Sequence, residues 1–217
     1  MRFWYSSFDF AQFHRCGVRY LATSMSKNTG QQIRGSGSRG AAQSKAMEAA
    51  PPTRRTVWSP IELMVRIIWS TFARILWVIF PPLRSTLLRL FGAKVGAKCT
   101  FARSVDIIIP WNLKIGNNCR FADDVILYSL GPITIGDDVR IDTRAHLCAG
   151  THDMKDTTFP LLRPPIVVGS GTYIGIDSYI APNVEVGSNC TIWPRTSVFK
   201  SVDDNAELSG NPARVIV

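Results

Sequence analysis

From Val95 to the C-terminus an apolar residue recurs at every sixth position, in a register interrupted only three times. Val95, Phe101 and Ile107 lead. After a two-residue slip come Ile115, Phe121 and Leu127, and after another Ile135, Ile141 and Leu147. The phase resumes at Val168, Ile174, Ile180, Val186, Ile192 and Val198. In a chain that is 46% apolar, fifteen apolar residues in that register arise by chance about once in 10^5 placements. The following residue is usually Gly or Ala, as at Gly96, Gly116, Gly136, Gly169, Gly175 and Gly187, where the backbone must turn without a Cβ clash. Four positions after each apolar residue the chain again selects small or β-branched side chains, among them Cys119, Val125, Val139, Ala145, Thr172 and Cys190. Polar turn-formers such as Asn117-Asn118 and Asp137-Asp138 fill the remainder. One short strand and one turn per six residues predicts a triangular coil of three units. Coils stacked at about 4.8 Å would enclose the repeating Val, Ile and Phe. Fifteen units predict an all-β parallel helix of about five coils, with the two slips bulging outward at a corner. Counting repeats does not give its hand.

Upstream the period changes. Ser59-Pro60-Ile61-Glu62 is a capping box with Pro at the first helical position, and Pro81-Pro82 ends the predicted helix at Phe80. Between them lie Trp69, Phe72, Trp77 and many aliphatic residues, with Glu62, Arg66, Ser70 and Arg74 as a narrow polar stripe. A basic-apolar piece, Leu83 to Phe91, follows. This amphipathic segment has three candidate destinations. It could span a bilayer, against a cost of about 2.5–3.5 kcal/mol for each central arginine. It could lie in a membrane surface, giving peripheral contact through residues 60–91. Or it could pack on the prism and cover the first coil. Residues 26–56 are rich in Ser, Gly, Gln and Lys/Arg without an apolar period, and residues 1–25 are aromatic with Arg2, Arg15 and Arg19. The expected organisation is a disordered leader over 1–56 (with Met25 the expected start of translation), a helical segment over 57–92 and the repeat domain over 93–217.

Charge follows the same division. Residues 1–94 hold 14 Lys and Arg against 3 Asp and Glu, whereas residues 95–217 hold 11 against 13. The repeat body therefore lacks the basic stripe that nucleic-acid binding requires. Cys99, Cys119 and Cys190 occupy the small inward position of the repeat and are read as packing residues, as is Cys148, which has no second catalytic partner nearby.

The remaining interruption, from Leu147 to Val168, is 21 positions long where the repeat expects six, so about 15 residues leave the prism as a loop stiffened by Pro160, Pro164 and Pro165. His152 stands at its root. An imidazole is suited to take a hydroxyl proton near neutral pH, so His152 is the candidate general base. His146 lies one residue before a repeat position and should point outward in a structural or exposed role. Asp153 reads as a solvated loop acid. Zinc chemistry of the kind that uses three histidines is not expected, because the body offers only His146 and His152, and His14 lies in the leader.

Val168-Gly169-Ser170-Gly171-Thr172-Tyr173-Ile174-Gly175 and Val186-Gly187-Ser188-Asn189-Cys190-Thr191 resemble the hexapeptide-repeat acyltransferases, as does the ending Gly210-Asn211-Pro212-Ala213-Arg214-Val215-Ile216. Pro110-Trp111-Asn112-Leu113-Lys114-Ile115-Gly116, Leu147-Cys148-Ala149-Gly150-Thr151-His152-Asp153 and Thr158-Phe159-Pro160-Leu161 are similar to the colanic acid biosynthesis acetyltransferase branch. The resemblance implies a left-handed parallel β-helix, a homotrimer with shared sites, and direct acetyl transfer from acetyl-CoA to a sugar hydroxyl with His152 as base and no metal. It places Tyr173 and Ile176 along the pantetheine arm, Lys200 and Arg214 near the phosphates, and Asp123 near the acceptor. Trp193-Pro194-Arg195 departs from the small residues common there. The implied acceptor is a sugar, nucleotide sugar or lipid-linked glycan of exopolysaccharide synthesis, met in the cytoplasm or at the inner face of the membrane. The alternative is a catalytically inactive prism serving as a membrane-associated or partner scaffold.

Overall fold

The computed structural model describes residues 58–216. The expected leader, with its start at Met25, lies outside the described residues. From Lys94 the chain winds as a β-solenoid whose strands of two or three residues stack into three parallel sheets. Val95, Ile115, Ile135, Val168 and Val186 define the first face. Phe101, Phe121, Ile141, Ile174, Ile192 and Leu208 define the second, and Ile107, Leu127, Leu147, Ile180 and Val198 the third. Of the fifteen repeat positions fourteen are buried, Val95 at the open end being half-buried. The small position four residues on is buried at Val105, Cys119, Val125, Val139, Ala145, Thr172, Ser178, Val184, Cys190 and Thr196, which leaves no room for a larger side chain. The Cys119 thiol is pushed up to about 11, chiefly by its burial.

Five coils are complete, and a sixth begins where Val202 bridges Val186 and Glu207–Ser209 joins the second sheet. The repeat count missed this last partial coil because Val198 to Val202 is a step of four, after which Val202 to Leu208 resumes the step of six. The two slips do leave the regular triangle, but the excursions are closed rather than loose. Ile109, Pro110, Ser129 and Leu130 are all buried there. The Ser129 hydroxyl donates to the Ile109 carbonyl and accepts from its N–H, each at 2.9 Å, while the Asn112 amide donates to Ser129 and Leu130 carbonyls.

The corner between the first and second faces explains the glycine column. A Cβ on Gly116 would lie 2.6 Å from the Gly136 carbonyl oxygen, and one on Gly136 would lie 2.5 Å from Ser170 Oγ. Stacked coils leave no space between these turns, so only hydrogen fits.

A helix with a π turn covers the first coil. α1 (Pro60–Ile68) begins with the expected capping box, Ser59 N donating to Glu62 at 2.9 Å and Glu62 N to Ser59 Oγ at 3.2 Å. It continues through a π turn, Trp69–Ala73, into α2 (Arg74–Ile79) and ends at Phe80. In an α-helix residues four apart drift by about 40° around the axis. The wider π turn offsets that drift and keeps Trp69, Ala73 and Trp77 on one line, all buried against the prism. α3 (Arg84–Leu90) adds Leu87 and Leu88 to the same core.

These helices resolve the edge of the solenoid. The first coil's carbonyls point away from the second coil and would be left without donors. Trp69 Nε1 donates to Ile107 O at 2.8 Å, Arg74 to Val105 O at 2.7 Å, and Trp77 Nε1 to Arg103 O at 3.1 Å. Arg84 donates to Phe101 O at 2.6 Å, Ser85 to Cys99 O at 3.4 Å, and Arg89 to Val95 and Gly96 carbonyls at 2.9 and 2.7 Å. At the opposite end the tail strand Arg214–Val215 pairs antiparallel with Glu207–Ser209. This segment packs on the prism, and among the described residues no helix is long and apolar enough to cross a membrane. Of the polar stripe, Arg66 and Arg74 are half-buried against the protein, whereas Ser70 is exposed and bonds its own helix at the Ile67 carbonyl.

Arg84→Ala should lower unfolding stability by about 2–4 kcal/mol, because it leaves the buried Trp77 and Phe101 carbonyls without their donor. Urea midpoints at unchanged slope measure this, with Leu90→Ala, at a position 77% exposed, staying within about 0.5 kcal/mol of wild type. Gly136→Val should destabilise by at least ~2 kcal/mol in the same assay, since the coil beneath cannot yield to a side chain.

Candidate active site

The interruption after Leu147 folds into a small ribbon rather than an irregular loop. Thr151–His152 pairs antiparallel with Leu161–Leu162, placing His152 opposite Leu161. Its tip is built from local turns. The Asp153 carboxylate accepts from Lys155 N at 2.9 Å, and the Asp156 carboxylate accepts from both Thr158 N and Oγ1 at 2.8 Å. Those last bonds hold the Asp156 carboxyl below its ordinary value. Asp153 is therefore occupied in shaping the turn.

His152 is exposed, and its Nδ1 lies 2.8 Å from the Phe159 carbonyl oxygen. A carbonyl only accepts, so in neutral His152 Nδ1 carries the hydrogen and Nε2 carries the free lone pair. Phe159 adopts a left-handed backbone, φ 46°, at the turn that presents this carbonyl. Sequence reasoning could not find Phe159 as a partner, because the group involved is a main-chain oxygen common to every residue type.

The excursion is also tied to the helical cap. Arg163, two residues beyond Leu161, sets its guanidinium 4.0 Å from the Trp58 ring centroid, and Arg66 of α1 lies 4.4 Å from that same ring. The sequence treated the two segments as unrelated, since 97 residues separate Arg66 from Arg163.

His146 does point away from the prism interior, but it is not exposed. It lies edge-on between Tyr128 and Tyr179, with ring centroids 6.1 and 5.5 Å away, and burial holds its pKa below the ordinary value. Cys148 donates to the Gly150 carbonyl at 3.3 Å and stands opposite Tyr128, two positions along the strand from His146.

The other candidate residues fall on different edges of the prism. Lys200 follows Ser197–Val198 and shares the corner between third and first faces with His152, two coils further on, about 10 Å along the stack. Ile176 and Asp123 lie at the corner between second and third faces, and Tyr173 on the second face beside it. Arg214 sits in the tail strand paired with that second face. The Tyr173 hydroxyl donates to Asp142 at 3.0 Å, and its pKa is raised by burial and by that carboxylate. Asp123 accepts from Ser104 Oγ at 2.9 Å. Trp193, at the departure from the family pattern, is 45% exposed, with Nε1 3.3 Å from Glu207. One chain thus brings His152 and Lys200 to one edge, and leaves Tyr173, Ile176, Asp123 and Arg214 across the width of the third face.

Comparison with known proteins agrees with this architecture. The family described as bacterial transferase hexapeptide (six repeats) matches residues 165–200. The chain is 43% identical over 133 residues to WcaF of Escherichia coli (strain K12), named as a colanic acid biosynthesis acetyltransferase, covering 61% of this chain and 73% of that one. A hexapeptide-repeat-containing acetyltransferase from Vibrio cholerae, solved with acetyl coenzyme A, superposes with a TM-score of 0.68 at 19% identity, covering 76% of this chain and 92% of that one. A galactoside acetyltransferase solved with coenzyme A gives 0.65 at 23% identity, covering 75% and 84%. At those identities the two structures speak for the fold, whereas the WcaF match extends over most of that protein's length. With that match added to the stacked six-residue coils, this chain belongs to the hexapeptide-repeat acetyltransferases.

Proposed function

We propose that the chain transfers an acetyl group from acetyl-CoA to a hydroxyl of an exopolysaccharide sugar or its precursor, with His152 as general base. The observation that carries this reading is the bond from His152 Nδ1 to the Phe159 carbonyl, which leaves Nε2 unprotonated and open at the root of the one long excursion. In the proposed step Nε2 takes the acceptor hydroxyl proton as that oxygen attacks the thioester carbonyl carbon. The carbon–sulfur bond then breaks, and the departing thiolate takes the proton back from the imidazolium. The Phe159 carbonyl holds the ring in place and stabilises the imidazolium by accepting from Nδ1–H.

The division of the candidate residues between two edges favours a site shared by neighbouring copies, in keeping with a homotrimer. Lys200 and Arg214 are exposed cations suited to the anionic phosphates of coenzyme A. The one ion pair among the described residues joins Arg144 to Asp177, so no carboxylate competes for either of them. Tyr173 and Ile176 present a half-buried ring and an exposed aliphatic side chain, a surface suited to the pantetheine arm. WcaF is named for colanic acid biosynthesis, and its similarity to this chain is the support for an exopolysaccharide acceptor.

In a thiol-release assay with acetyl-CoA and a panel of nucleotide sugars and glycans, His152→Ala should lower kcat by about 10^2–10^4-fold with an unchanged melting temperature. Wild-type turnover in that variant would remove His152 from the role. Lys200→Ala and Arg214→Ala should each raise KM for acetyl-CoA several-fold, by about 3–10, with little change in kcat. Titration with dephospho-coenzyme A should show a smaller difference between variants and wild type; equal losses for both ligands would place these cations away from the 3′-phosphate.

A further inference from the structure

The covering helix is inverted. Its inward line is Trp69, Ala73 and Trp77, beside which Arg66 stacks on Trp58 and Arg74 reaches the Val105 carbonyl. Its outward stripe is Ile61, Met64, Ile68, Phe72, Ile75 and Ile79, each between 40% and 71% exposed. Spacings of three and four residues make this one continuous apolar band over about five turns. A band of that length on a single chain marks a surface that something covers.

Charge identifies the occupant. Residues 58–107, the helices and first coil, carry seven Lys and Arg against two Asp and Glu, whereas residues 108–216 carry nine against twelve. Glu185, Asp203, Asp204 and Glu207 gather in the last coils, so the prism is basic at its apolar end and acidic at the other. A second copy packing through this band would bring two basic ends together. Residues 1–57, with nine Lys and Arg against two Asp and Glu, have the same sign as the surface they would have to cover. An anionic bilayer complements both the apolar band and the charge around it.

We propose that this face seats the protein on an anionic phospholipid surface, the α1–α2 band entering the headgroup–acyl boundary while Lys98 and Arg103 at the exposed rim meet lipid phosphates. The acidic last coils then point away from the membrane. Docking of this kind does not depend on the acetyltransferase reading and can be tested without turnover.

The test is flotation of the full chain with vesicles of phosphatidylcholine alone or with about 30 mol% phosphatidylglycerol. Wild type should float with the anionic vesicles and much less with the neutral ones. Phe72→Glu combined with Ile75→Glu should reduce the bound fraction at least tenfold, with melting temperature and oligomeric mass unchanged; Ile68→Ser with Ile79→Ser is the milder pair should the first fail to fold. Lys98→Glu with Arg103→Glu should weaken binding several-fold and blunt the preference for anionic lipid. Flotation of the band variants at the wild-type level would overturn the proposal in favour of the basic leader acting alone. Absence of wild-type flotation, with or without a change of oligomeric mass in the band variants, would overturn it too. A changed mass would assign the face to a second copy.

Discussion

Every coil of this protein hands its carbonyls to the coil before it, and the first coil has none before it. A solenoid built from two- and three-residue strands has almost nothing but this axial hydrogen bonding and its inward side chains to hold it together, so an open first edge would be costly. The N-terminal helices meet that need with side chains in place of a strand. Indole, guanidinium and hydroxyl donors reach seven of the carbonyls between Ile107 and Val95. The residues available for anything else on these helices follow from that commitment. With tryptophan and arginine turned inward as donors, the aliphatic residues are left to face outward.

The excursion that carries His152 depends on the same scaffold. Stacked coils fix where Cys148 ends its strand and where Ile166 begins the next prism strand, and the ribbon between them is held by its own turn bonds and by Arg163 against Trp58. A basic and aromatic contact therefore links the cap on one end of the prism to the strand that returns from His152. Support on both sides suits the general-base role proposed for His152.

Much of the fold was legible in the residues. The six-residue period, the glycine column, the inward cysteines and the capping box at Ser59 each rest on local rules, and each was met. His152 stood out because a long excursion on a repeat otherwise broken only by two-residue slips needs a reason. What was not legible involved partners far apart in sequence or groups without identity. The Phe159 carbonyl is a main-chain atom, the Arg163–Trp58 contact spans more than a hundred positions, and the partial sixth coil departs from the period. The burial of His146 between two tyrosines was equally hidden, since alternation says which way a side chain points and not what lies over it.

The orientation of the helix shows where that boundary lies. Sequence alone determined that residues 60–79 are helical, where the helix starts and stops, and that it carries a polar stripe beside a large apolar surface, because propensity, capping and period are properties of neighbouring residues. Which surface turns inward is a contest between burying hydrocarbon and satisfying the first coil's carbonyls, and both competitors are contributed by residues 20 to 40 positions away. Only the folded chain brings the two together, and there the carbonyls prevail: the tryptophans and arginines go in, and the isoleucines stay out.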